Sequence, residues 1–160
     1  THTMFRSTNK ELALSCWHWF FFQLPDLPEA LISAQPEVFL HFAFRLLGCP
    51  PGAIEEPVMQ EYLRAFKLPG TQRAILEDYR AAATIDYQHD ERDLGRRITC
   101  PLLALWGERG RIHPLFDVLA TWREKAQRVE GRSLPSAHFI PEEAPEALLA
   151  ELLPFLQRKL

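Results

Sequence analysis

The chain is poor in the residues that usually announce a site. Only three of its 160 residues are cysteine, and Cys16, Cys49 and Cys100 lie far apart in apolar surroundings, with no Cys-x-x-Cys pair. A disulfide framework is therefore excluded, and buried free thiols in a reducing, cytoplasmic setting are expected. Positive charge is not in excess: 18 Lys and Arg against 21 Asp and Glu give a formal net charge of -3, so no nucleic-acid partner is expected. The densest apolar stretch, Leu12 to Leu24, is interrupted by His18 and Gln23 and is too short to span a bilayer, so no membrane partner is expected. That stretch also lacks the basic flank and small-residue cleavage site of a signal peptide. His2, His18, His41, His89, His113 and His138 include no pair at i, i+4 and no cysteine at ligand spacing, which argues against a metal. Glycine-rich phosphate loops are missing too, and no cofactor is expected.

What is present is an ordinary hydrophobic fraction of 47%, enough for a buried core, arranged in two grammars that change near Ile98. Residues 1–97 read as helices punctuated by Pro and Gly. Thr8 with Glu11 forms a capping box before a helix over Leu12 to Phe22. Pro36-Glu37 opens a second helix that stops at Gly48 and the Pro50-Pro51 pair. Pro57 to Lys67 is a third, and Thr71 caps a fourth from Gln72 to about Thr84. The charge-rich stretch Asp86 to Arg97 reads as a solvated connection. In residues 98–160, Leu102-Leu103-Ala104-Leu105-Trp106 closed by Gly107 has the pattern of a strand buried on both faces. Helical spacing follows over Leu115, Val118, Leu119, Trp122 and Ala126, then a short strand over Arg132 to Pro135. A closing helix carries Leu148, Leu149, Leu152, Leu153 and Leu156, bent by Pro154. Strand, helix, strand, helix is a parallel crossover unit. Two parallel strands need further cover on their faces and edges, so the helical module reads as an insertion capping a sheet that is largely absent.

The chemistry is similarly incomplete. A nucleophile held at a strained strand-to-helix turn needs glycine two residues away on each side, and the only such pair, Gly48 and Gly52, encloses Pro50. N-terminal truncation is the expectation that follows. For the acid, the strand at Leu102 to Trp106 is followed by Gly107-Glu108-Arg109-Gly110-Arg111, which offers only Glu108. The base is better placed: His138 follows the second strand by a few residues and is flanked by small Ser136 and Ala137, so its imidazole can project into a site. Read blandly, it is a loop histidine with a hydrogen bond and no further duty. His18 and Trp19, within Cys16-Trp17-His18-Trp19-Phe20-Phe21-Phe22, fit a packed core on spacing alone. They also fit an anion pocket, in which indole and imidazole N–H groups and the O–H of Tyr79 solvate a halide.

Ser15-Cys16-Trp17-His18-Trp19-Phe20-Phe21, the turn Leu24-Pro25-Asp26-Leu27-Pro28-Glu29, Glu77-Asp78-Tyr79-Arg80-Ala81, the strand Pro101 to Gly107 and the His138 loop together resemble the haloacetate (fluoroacetate) dehalogenases of the α/β-hydrolase superfamily. The resemblance covers nearly the whole chain. It implies a partial α/β-hydrolase fold, with a helical cap over residues 1–97 followed by the last β-α-β-α elements of a parallel sheet over 98–160. It further implies a cofactor-independent hydrolytic dehalogenase that cleaves the carbon–halogen bond of a haloacetate through an Asp-ester intermediate. In that scheme His138 activates water, and His18, Trp19 and Tyr79 hold the departing halide. The nucleophile, the carboxylate-binding arginines and the acid are expected upstream of Thr1, so the chain alone is expected to be inactive. An epoxide hydrolase, with Tyr62 and Tyr79 as proton donors, and a non-catalytic truncated paralogue are the alternatives. The reading leaves room for a homodimer.

Overall fold

The structure is a computed structural model that describes residues 2–158. The chain divides into two compact units, one comprising the stretch up to Ala43 with Glu55–Asp93, the other Phe44–Ile54 with everything from Leu94 onward.

The first unit is helical. Its elements are α1 (His2–Arg6), α2 (Lys10–Ser15), α3 (Trp17–Phe21), α4 (Leu27–Ala34), most of α5 (Pro36–Leu46), α6 (Glu56–Phe66), α7 (Thr71–Ala83) and α8 (Ile85–Arg92). The first long helix expected from the sequence is broken in two at Cys16, and its cap is Asn9 rather than Thr8. Asn9 has the extended backbone a cap needs and accepts the Leu12 N–H, whereas the Thr8 hydroxyl donates back to the Phe5 carbonyl. Gly70, not Thr71, precedes α7, with its backbone in the left-handed region. The turn at Leu24 to Glu29 starts α4, because Pro28 is tolerated in a first turn where its missing N–H costs nothing. The charged stretch after Ile85 is also helical, and α8 buries none of its side chains.

These helices are short, and helices of this length hold only through tertiary packing. Their core is Phe22, Ile32, Phe66 and Leu76, with Phe21, Phe39, Leu40 and Tyr79 against it. Phe39 and Phe66 stack with centroids 6.1 Å apart. A polar tie crosses the edge of this core: Arg80 of α7 donates to Glu29 of α4 at 2.6 Å and to the Leu24 carbonyl at 2.6 Å. Its guanidinium, hydrogen-bonded to Glu29, holds that carboxyl below the usual carboxylate range. Between the tied segments sits Asp26, at φ 62° and ψ -39°, with the Leu27 N–H donating to the Pro25 carbonyl across it at 2.6 Å. That is a three-residue turn with positive φ, a conformation that strains any residue with a Cβ.

The second unit contains β1 (Ile98–Gly107), α9 (Val118–Lys125), β2 (Ala126–Leu134), α10 (Ile140–Glu143) and α11 (Pro145–Gln157). The strands pair in parallel, from Ile98 opposite Ala126 to Gly107 opposite Leu134, with a break in register between Ile98 and Pro101. At Ala104 opposite Gly131 the backbones come so close that a Cβ on Gly131 would strike the Ala104 peptide. β1 is less covered than its sequence implies: only Ala104 and Gly107 are buried, and Ile98 to Cys100 are exposed. The physical reason is that β2 is its only strand neighbour among the described residues. Leu149, Leu153 and Leu156 on α11 and Trp122 on α9 are exposed as well. α11 continues through Pro154 to Gln157. No described helix is long and apolar enough to cross a membrane. None of the three cysteines is in a disulfide, but only Cys16 is buried, and Cys100 lies exposed at the open start of β1.

Replacing Arg80 with Ala removes three charge-assisted hydrogen bonds, to Glu29, Leu24 and Glu77, and should lower stability by about 1–2 kcal/mol. Asp26→Gly relieves the positive φ at a site where the Asp side chain makes no cap bond, and should raise stability by about 1 kcal/mol. Urea unfolding of the chain followed by far-ultraviolet circular dichroism measures both, and equal midpoints for the three proteins would refute both.

Candidate functional site

The helical unit brings three of the sequence-predicted residues together. His18 and Trp19 lie on α3 and Tyr79 on α7. The His18 and Tyr79 rings stand edge to face with centroids 5.8 Å apart, and Trp19 and Tyr79 do the same at 6.0 Å. His18 is buried and the other two are half-buried. Phe22, one turn on from His18, packs against Tyr79 at 4.9 Å and anchors the group to the core. Gln23 pins the two backbones, its side-chain amide donating to the Trp19 carbonyl at 2.8 Å and the Tyr79 carbonyl at 3.0 Å. Burial first, and then the charges of Asp78 and Cys16, push the Tyr79 phenol above its ordinary value. Its O–H therefore stays a hydrogen-bond donor well into alkaline pH.

In the second unit, β2 ends at the fully buried Leu134 because Pro135 has no N–H to continue the ladder. The Ser136 N–H turns back to the Leu134 carbonyl at 2.7 Å, and the loop carrying His138 follows. The end of β1 forms its floor. The Glu108 N–H donates to the Leu134 carbonyl at 2.9 Å and the Arg109 N–H to the Ser136 carbonyl at 3.0 Å. The Arg109 side chain adds a bond to the Pro135 carbonyl at 3.0 Å. Gly107 is required at the closest point, since a Cβ there would overlap the Ala137 carbonyl.

His138 itself is exposed, with its ring edge to face against Phe139 at 5.0 Å. The protein packed around the covered part of the imidazole pushes its pKa below the ordinary histidine value, and the negative Glu143 opposes that shift. The ring makes no hydrogen bond to a carboxylate among the described residues. Glu108, the acid the sequence offers, is half-exposed and faces Arg109 at 3.9 Å. The Cys49 thiol is not poised as a nucleophile, because burial first, then Glu143 and Glu142, push its pKa up, away from the reactive thiolate. Among the described residues no group of three or more His, Cys, Asp and Glu side chains could hold a metal ion.

Sequence reasoning missed Glu143. Its carboxylate is buried beneath the His138 loop and accepts the Ala137 N–H at 2.7 Å and the Phe139 N–H at 3.0 Å. The available signal was local: Pro141 followed by Glu142-Glu143 marks the first turn of a helix, where a glutamate reaches back to the cap residue's N–H.

No family model matches the chain. It is 32% identical over 160 residues to a fluoroacetate dehalogenase of Burkholderia sp, covering 98% of this chain and 52% of that protein. To a soluble epoxide hydrolase of Corynebacterium sp. (strain C12) it is 31% identical over 148 residues, covering 90% of this chain and 50% of that one. Among solved structures, one assigned as an alpha/beta hydrolase from Nostoc sp PCC 7120 superposes with a TM-score of 0.95 at 48% identity, over 99% of this chain and 55% of that chain. The chain thus spans about half the length of the relatives it matches. Its helical unit and its β-α-β-α unit are a partial α/β-hydrolase fold, and the chain belongs to the α/β-hydrolase superfamily.

Proposed function

We propose that this chain supplies the helical lid, residues 1–97, and the base-bearing C-terminal part, residues 98–160, of a cytoplasmic hydrolytic dehalogenase acting on haloacetates. The observation that carries the reading is the grouping of the His18, Trp19 and Tyr79 rings, each of which holds an N–H or O–H and none of which is anionic at neutral pH. Such a set suits a halide leaving group, which needs donors and is repelled by carboxylates. The similarity to a fluoroacetate dehalogenase supports the same substrate class.

In the proposed reaction an Asp carboxylate oxygen, supplied from outside this chain, attacks the α-carbon. A C–O bond forms as the C–X bond breaks, and the electron pair leaves on the halide beside His18, Trp19 and Tyr79. His138 then takes a proton from water, the hydroxide adds to the ester carbonyl, and the intermediate collapses to the free carboxylate. The leaving alkoxide recovers the proton from the imidazolium. The balance is haloacetate plus water giving 2-hydroxyacetate plus hydrogen halide. No cofactor enters. An epoxide hydrolase would instead ask Tyr62 and Tyr79 to donate a proton to the ring oxygen, and an epoxide hydrolase is also similar to this chain. The neutral donor set at His18 and Trp19 favours halide.

The gene product containing this chain should release halide from fluoroacetate or chloroacetate and leave a styrene-type epoxide unchanged, while the 160-residue chain by itself should release none. His138→Gln in that gene product should cut turnover by about 10²–10⁴-fold. It should still release up to one halide per protein, with the ester visible as a mass increase. Trp19→Phe or Tyr79→Phe should lower turnover by up to about 100-fold through loss of one donor. Epoxide opening without halide release would sink the assignment.

The base must be neutral to work. Since the surrounding protein lowers the His138 pKa, the acid limb of the ester-hydrolysis rate should fall below the pH at which an ordinary histidine titrates, with the rate rising as pH increases through it. A pH–rate profile checks this, and an acid limb at or above the ordinary histidine value would contradict it.

A further inference from the structure

We propose that Glu143 is a positioning residue for the base: its buried carboxylate straddles His138 and grips the peptide groups on both sides of it, fixing where the imidazole is carried. The inference rests on the reading of His138 as the base. One oxygen, Oε2, accepts the Ala137 N–H at 2.7 Å, and the other, Oε1, accepts the Phe139 N–H at 3.0 Å. The side chain is 2% exposed, and a carboxylate so placed persists only when its oxygens are satisfied. Arg109, extending from the end of β1, adds a cation 3.7 Å from Oε2.

Only a carboxylate offers two acceptor oxygens at this spacing with no donor. A glutamine would turn its amide nitrogen against one of the two N–H groups. Because both oxygens are spent on backbone, Glu143 is not the acid that orients the ring, and its action on His138 passes through the main chain. The two residues flanking His138 are also held by packing. Ala137 is wedged between Gly107 and Gly48, where a Cβ on Gly48 would stand 3.1 Å from the Ala137 Cβ. Phe139 stacks on the buried Phe44 with centroids 4.5 Å apart. Held on both flanks, His138 keeps only its side-chain torsions free. Charged or titratable groups near the loop include Glu142 on α10, Glu108 and Arg109 after β1, and Cys49 in the segment after α5.

The test is amide hydrogen exchange followed by NMR on the 160-residue chain. The Ala137 and Phe139 amides should be protected about tenfold or more over that of His138, whose own N–H has no hydrogen-bond partner among the described residues. In Glu143→Gln, protection at Ala137 and Phe139 should fall about tenfold or more while the β1 amides of Leu103 and Leu105 hold. The single His138 ring signal should broaden or split as the imidazole samples several positions. Glu143→Asp, one methylene short, should fall between the two. A role confined to stability would instead lower protection throughout this unit and leave the ring signal single. If the Gln variant does not fold, the alternating protection in the parent decides. Uniform protection across residues 137–139 in the parent, or unchanged exchange with one narrow ring signal in Glu143→Gln, overturns the proposal. None of these readouts needs turnover, so a protein that releases no halide would refute the dehalogenase reading and leave the clamp standing.

Discussion

Steric contact at the end of β1 sets the geometry of the β-α-β-α unit. Parallel pairing brings Gly107 opposite Leu134, and the missing Cβ at Gly107 lets the Ala137 carbonyl lie directly on the strand. With any other residue at position 107 the loop would be lifted. The Glu108 and Arg109 amides would then lose the Leu134 and Ser136 carbonyls that they now reach at 2.9 and 3.0 Å. Glu143 could not close on the loop, because its two bonds need Ala137 and Phe139 at fixed separations. A single absent methyl group therefore lets backbone bonds from the end of β1 and a buried carboxylate both hold the loop, while the histidine it carries stays exposed.

The helical unit obeys a different constraint. A five-residue helix such as α3 has no stability of its own, so its position is dictated by what its side chains bury. Phe22 enters the core, and Tyr79 packs against both that core and His18. The core reading and the anion reading of the His-Trp-Phe-Phe run are thus not rivals. Packing that buries part of each ring also brings the three rings together, and Gln23 ties the two backbones that carry them.

Much of this was legible in the sequence where a periodic signal exists. The order strand, helix, strand, helix and the helices near Pro57 to Lys67 and Gln72 to Thr84 followed from apolar spacing and from Pro and Gly. Elements whose signals conflict were not legible. Pro25 and Pro28 marked Leu24 to Glu29 as a turn, yet Pro28 sits in the first turn of α4. The charges from Asp86 onward implied solvent, and α8 is both helical and without buried side chains. Thr8 and Asn9 are both good caps by type, and only backbone angles separate them. The grouping of His18, Trp19 and Tyr79 stood beside a packed core as an alternative on residue chemistry, and the resemblance favoured it, because a contact between residues 18 and 79 leaves no mark in local pattern. The Glu143 clamp was hidden for a related reason: its partners are main-chain amides, which every residue but proline possesses.

One physical cause acts in opposite senses on two residues of the proposed reaction. Removing water from an ionisable group disfavours its charged form, which is the cation for histidine and the anion for tyrosine. The same desolvation therefore presses His138 down and Tyr79 up, and in each case it is the largest influence. His138 becomes available as a base at lower pH, and Tyr79 remains a donor to higher pH. The range over which both groups are in the working form widens at both ends. Charges act as modifiers: Asp78 and Cys16 reinforce the shift at Tyr79, whereas Glu143 opposes the one at His138. A carboxylate that holds the loop thus returns part of the proton affinity that desolvation removes. The net direction is downward, which favours the neutral imidazole that the proposed hydrolytic step requires.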